Sequence, residues 1–124
     1  MGFSHICVGS NDLERSRAFY DAALAPLGVK RTTDMDNRFM YEGDGLRLIV
    51  TKPIDGEAAT FANGGTIGFP AADNAAVDAF HGSGLANGGS CAGAPGPRPQ
   101  VPGAYGAYLR DPDGNKICAF AWNA

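Results

Sequence analysis

The chain has 124 residues, a formal net charge of −3, 44% hydrophobic residues and 19% charged residues. That is enough chain to bury a core without staples, as one domain or as two half-domains sharing one. The weak negative charge, with no Lys/Arg cluster, excludes an electrostatic footprint for nucleic acid or an anionic membrane surface. Three cysteines at irregular spacing argue against a disulfide framework and fit a reducing cytoplasm.

The opening "MGFSHICVGS" has neither the basic start nor the apolar run of a signal peptide, and no stretch is apolar enough to span a bilayer. Phe3 to Val8 reads as a strand, with Ile6 and Val8 on one face and His5 and Cys7 on the other. "NDLERSRAFYDAALAPLG" reads as a helix. Asn11 is placed to cap it, and Glu14 stands three residues on, as in a capping box. Leu13, Tyr20, Leu24 and Leu27 form its apolar stripe, with Ala23 nearby, and Pro26 and Gly28 end it. Strands are expected at Val29–Thr33, Arg38–Tyr41 and Leu46–Thr51, then a linker, "KPIDGEAATFANGG".

The pattern then restarts. "TIGFPAADNAAVDAFHGSGLANGG" reads as a strand, an Asp/Asn cap, and a helix carrying Val77, Phe80 and Leu85. At an offset of 61 residues Ile6 meets Ile67, Val8 meets Phe69, Phe19 meets Phe80, Leu24 meets Leu85 and Gly28 meets Gly89. The turn at Asp44-Gly45 corresponds to Asp113-Gly114 in "DPDGNKICAF". Such self-similarity predicts a duplicated β-α-β-β-β unit. Its second copy adds strands near Ser90–Gly93, Ala104–Arg110 and Lys116–Trp122. Between the first two lies the Pro/Gly loop "GAPGPRPQVPG", a lid or simply a long connection. The fold class is α+β with mainly antiparallel pairing: module one at about 1–52, a linker at 53–64 and module two at about 65–124. One face of each sheet, with Ile6, Val8, Leu48, Val50, Ile67, Phe69, Ile117 and Ala119, should meet the helices. The other face should carry His5, Cys7, Arg47, Ile49, Thr66, Cys118, Phe120 and Trp122.

The stretches "HICVGSNDLERSRAFYDAALAPLG", "VDAF", "GAPGPRP" and "DPDGNKI" resemble the glyoxalase/bleomycin-resistance/dioxygenase group, the vicinal oxygen chelate superfamily. The resemblance covers nearly the whole chain. It implies paired modules whose curved sheets enclose a cavity, and a homodimer. In catalytic members it implies a divalent metal, held by a His on the first strand and a Glu on the last strand of each module. The four corresponding places here read His5, Ile49, Thr66 and Cys118. Isoleucine offers no lone pair, a neutral threonine hydroxyl is a weak ligand, and catalytic ions want several carboxylate or imidazole ligands. No cofactor is therefore expected. A zinc site of His5, Cys7 and Cys118 would need both strands to converge within bonding reach.

Each candidate has two readings. Cys118 is either a nucleophile activated by His5 or a small apolar filler where a carboxylate once served. His5 contacts a ligand or is a relic. Cys7 is expected in the core. Arg47 either grips an anionic ligand or faces outward after a one-residue slip. Phe120 and Trp122 form an aromatic wall, ordinary packing or a dimer contact. His81 is placed near a helix C-terminus, an ordinary position for a cationic or polar residue. The expected function is binding of a small aromatic or oxygenated molecule without the usual metal. The alternatives are a metal-dependent lyase or isomerase of the glyoxalase I type and a metal-free thiol enzyme.

Overall fold

A computed structural model describes residues 2–123. Module one runs β1 (Ile6–Gly9), α1 (Leu13–Leu24), a 3₁₀ turn (Ala25–Leu27), β2 (Lys30–Asp34), β3 (Arg38–Gly43) and β4 (Leu46–Thr51). Module two runs β5 (Ile67–Pro70), α2 (Asn74–Ala86), β6 (Ser90–Pro97), β7 (Ala104–Arg110) and β8 (Lys116–Trp122). Each module forms a four-stranded sheet, ordered β1-β4-β3-β2 and β5-β8-β7-β6. Among the described residues β1–β4 and β5–β8 pair in parallel and the other neighbours are antiparallel. The duplicated α+β unit read from the sequence is thus the fold. Among the described residues no helix is long and apolar enough to cross a membrane.

Alternation along the strands explains the layering. Leu48 and Val50 from β4, Phe69 from β5, and Ile117 and Ala119 from β8 are buried on the helix side. They join Phe19, Tyr20, Leu24, Val77 and Phe80 in one apolar cluster spanning both modules. The two helices pack on each other, so the sheets share a single core. α2 comes close because Gly84 faces the core: a Cβ there would stand 2.4 Å from Leu109 Cδ1 and 3.1 Å from Phe19.

Several sequence expectations shift. The cap of α1 is Asp12, whose carboxylate accepts from Arg15 N at 3.2 Å; Asn11 instead binds Ala59 through its side chain. β1 begins at Ile6, after a bend at Ser4 whose hydroxyl bonds the His5 ring. Leu85 lies 42% exposed on the outer side of α2, because Gly84 holds the inward position beside it. His81 is not at the helix end but buried mid-helix, 8% exposed. Cys7 is exposed on the sheet face away from the helices, because its neighbours Ile6 and Val8 take the inward positions.

The "DPDGN" turn does more than reverse the chain. The buried Asp111 carboxylate accepts from Tyr20 Oη on α1 at 2.6 Å, from Asn115 Nδ2 at 2.9 Å, and from the backbone N–H groups of Asp113 and Asn115. Asp113 accepts from Asn11 N at 2.8 Å and from Ser16 Oγ at 3.0 Å, and Asn115 Nδ2 donates to Gly9 O. Module two thereby clasps the start of α1 in module one.

Candidate functional site

The outer faces of the two sheets, turned away from the helices, hold the candidate residues. Strand register decides which of them are equivalent. Cys7 pairs with Ile49, and Gly68 with Cys118, so Ile49 and Cys118 occupy the same place in the two modules. Across the next strand, Ile49 faces Met40, and Cys118 faces Tyr108.

On module one, His5 precedes β1 and is exposed, as are Cys7 and Arg47. Arg47 Nε donates to Glu42 Oε2 at 3.0 Å, directly across the β3–β4 pair. Glu42 also accepts from Thr32 Oγ1 at 2.6 Å. Those donors favour its ionised form and hold its carboxyl below the usual range. The Glu42 carboxylate on this strand face is therefore already engaged by two partners. His5 and Arg47 line an open cleft of about 440 Å³ with Phe3, Asp44, Leu46 and Pro70.

Module two presents a different surface. Tyr108 and Phe120 meet edge to face, with ring centroids 5.8 Å apart and planes at 82°. Phe120 and Trp122 continue the row at 5.8 Å and 31°. A Cβ on Gly106 would stand 2.7 Å from the Phe120 ring, so only glycine lets that ring lie against β7. The Arg98 guanidinium sits 5.4 Å from the Tyr108 ring centroid, and Lys116 Nζ sits 4.9 Å from it. Trp122 is 64% exposed, a large apolar surface left in solvent.

Cys118 lies beneath this row, 6% exposed. Burial pushes its thiol up to about 11, with small opposing effects from Lys116 and Arg98. No hydrogen bond joins it to His5 among the described residues: His5 precedes β1 in module one, whereas Cys118 lies on β8 in module two. The pairing that a thiol enzyme would need is not formed within one chain. Thr66 is exposed just before β5, beside Cys7 in a smaller cleft lined also by Ile67 and Lys116.

Among the described residues no three His, Cys, Asp or Glu side chains gather. The four family positions contribute an imidazole just before β1, an isoleucine, a hydroxyl, and a buried thiol favoured in its protonated form. That donor set does not fit a catalytic divalent ion, which needs deprotonated or strongly basic ligands converging on one point.

The sequence reading missed two pairs. His81 Nε2 lies 3.2 Å from Cys91 Sγ, and Tyr20 reaches Asp111. Both helix residues stand one position after the matched Phe19 and Phe80. A polar group repeated there on a buried stripe was the available signal.

A family model for the Glyoxalase/Bleomycin resistance protein/Dioxygenase superfamily matches residues 2–119. A solved glyoxalase/bleomycin resistance protein from Albidiferax ferrireducens T118 is 48% identical, with 96% of this chain and 97% of that one covered and a TM-score of 0.88. Lactoylglutathione lyase from Agrobacterium tumefaciens shares the fold at 20% identity, 97% and 92% coverage and a TM-score of 0.67. Fosfomycin resistance protein FosX from Mesorhizobium loti does so at 17% identity, 97% and 91% coverage and a TM-score of 0.70. No protein with a curated description matches the chain.

Proposed function

The chain belongs to the Glyoxalase/Bleomycin resistance protein/Dioxygenase superfamily, and on that premise we propose that it is a binding protein for a small, flat, oxygenated aromatic molecule. The observation that carries this reading is the row Tyr108–Phe120–Trp122, flanked by Lys116 and Arg98. The packed rings offer an apolar wall for a planar ligand. Two cations beside them favour an acidic or oxygen-rich edge on that ligand. The ligand would sit against module two, with Cys118 and Thr66 at its margin. His5, Cys7, Arg47 and Ile49 would line the opposing wall.

In a single chain both outer faces stand open, so we propose a homodimer in which a second copy closes the cavity. A cytoplasmic location fits three free thiols. Neither nucleic acid nor a membrane is a proposed partner.

The lyase or isomerase alternative needs several strong metal donors and a carboxylate base, and the four positions supply a single imidazole and no carboxylate. Trp122 is the one tryptophan, so its fluorescence reports on this face. Titration with 1-naphthoate and benzoate should quench it saturably, and Phe120→Ala should weaken binding at least tenfold. A separate titration with zinc and nickel should show no stoichiometric uptake. Tight metal binding that disappears in His5→Ala would overturn the binding-protein reading and restore the enzyme.

A further inference from the structure

We propose that Cys91 and His81 form a nucleophilic thiol–imidazole site on the helix side of module two, poised to add to α,β-unsaturated carbonyl compounds. The site is independent of the aromatic face. Cys91 pairs with Leu109, a core residue, so its side chain points toward α2. Cys118 pairs with Tyr108 and points the opposite way.

Three features converge on Cys91. It is exposed and lies on β6, the edge strand of its sheet, so a small molecule can reach it. Its Sγ stands 3.2 Å from His81 Nε2, within hydrogen-bond reach for a thiol donating to a ring nitrogen. The register shifts between Cys91 and Gly93, placing Ala92 as an extra residue in the strand; such bulges re-aim side chains at sheet edges.

The imidazole is unusual too. It is 8% exposed on the core side of α2, and Cys91 Sγ is its one hydrogen-bond partner among the described residues. Burial lowers the pKa of His81, and Asp78 one turn earlier opposes this only in part. Asp78 is itself held by Tyr105 Oη from β7 at 2.7 Å. The ring is thus a neutral base at pH 7, ready to accept the thiol proton.

A base that can return the same proton suits a conjugate addition, which expels no leaving group. Sulfur bonds the β-carbon of the enone as the thiol proton passes to Nε2. The alkene electron pair moves to the α-carbon and carbonyl as an enolate. The imidazolium then returns the proton to the α-carbon, leaving a thioether and a neutral ring.

The chain carries its own control. Cys7 is exposed and has no imidazole partner among the described residues. The intact protein is treated at pH 7 with limiting N-ethylmaleimide alongside N-acetylcysteine, and adducts are counted by peptide mass spectrometry. Cys91 should react at least fivefold faster than both Cys7 and N-acetylcysteine, with Cys118 unmodified. His81→Gln should bring Cys91 down to the Cys7 rate. A Cys91 rate no higher than that of Cys7 and N-acetylcysteine overturns the proposal. So does a rate advantage that survives in folded His81→Gln. Should that variant fail to fold, the wild-type rates against the two references decide.

Discussion

Asp12 and Asp73 cap the two helices from equivalent positions, each accepting from the backbone three residues on, and Phe19 and Phe80 fill the same core from both sides. Beyond that core the modules part. Module one carries on its outer face a charged set, with Arg47 tied to Glu42 and His5 open to solvent. Module two carries a row of three packed aromatics and two cations in the corresponding region. The hairpins differ as well. The Asp44-Gly45 turn has positive φ at both residues, 52° and 78°, and joins β3 to β4 with no hydrogen bond to the other module among the described residues. The Asp111–Asn115 turn is anchored on α1 by its carboxylates. A shared inner face preserves the fold, while free outer faces and turns allow two copies to divide labour.

The turns offer the sharpest break. Asp111→Ala would leave the Tyr20 hydroxyl and two backbone donors without their acceptor in a buried site. It should cost about 3 kcal/mol, read from urea unfolding. Asp44→Asn keeps a residue that tolerates positive φ and should change stability by less than about 0.5 kcal/mol. Equal costs would mean that module two's turn holds nothing special.

The faces come next. Gly106→Ala places a methyl group against the Phe120 ring, which must tilt away. It should weaken 1-naphthoate binding at least fivefold with a stability loss of about 1–3 kcal/mol. Arg47→Ala, in the module one cleft, should weaken it by less than threefold. A larger effect from Arg47→Ala would move the recognition surface to module one.

The two modules should also answer acid with opposite signs. Asp21 in module one accepts from Arg31 and Tyr41, and although burial opposes them, these partners hold its carboxyl below the usual range. Its contribution is present above the unfolded carboxylate value near 3.9 and is lost as pH falls through the lower folded value. Burial raises Asp111 despite its donors. The folded chain therefore takes up that proton at a higher pH than the unfolded one, and stability gains from Asp111 as pH falls through its raised value. Asp21→Asn should flatten the loss of stability below pH 4. Asp111→Asn should remove an opposing gain, leaving a steeper fall as pH drops through the raised Asp111 value. Parallel pH profiles for the two variants would break this contrast.

Much of this was legible in the residues. The offset repeat gave both modules, and strand alternation placed Leu48, Val50, Phe69, Ile117 and Ala119 inward, because apolar periodicity reports burial directly. Leu85 misled because one-residue rotation on a helix is invisible when glycine takes the inward place. His81 and Cys91 escaped notice because they meet across sequence, between a helix and an edge strand. Asp111 read as turn chemistry alone, since nothing local reveals that its carboxylate will meet Tyr20. The pairing of Glu42 with Arg47 likewise follows only from register, which a list of face residues does not supply.

A small effect is also expected at Cys118, where the aromatic face meets the place of a family ligand. Its thiol is buried and pushed up to about 11, so at neutral pH it is protonated and packs as a small apolar group. Cys118→Ala removes one sulfur beneath Phe120 and should cost about 1 kcal/mol or less, leaving 1-naphthoate affinity within twofold. In module one Ile49 already does without a polar atom at the equivalent position. A thiol-based activity would respond differently: Cys118→Ala would abolish turnover while leaving stability nearly intact. Measuring both quantities on the one variant therefore separates a retained filler from a nucleophile, because packing acts on the unfolding curve and chemistry acts on the rate.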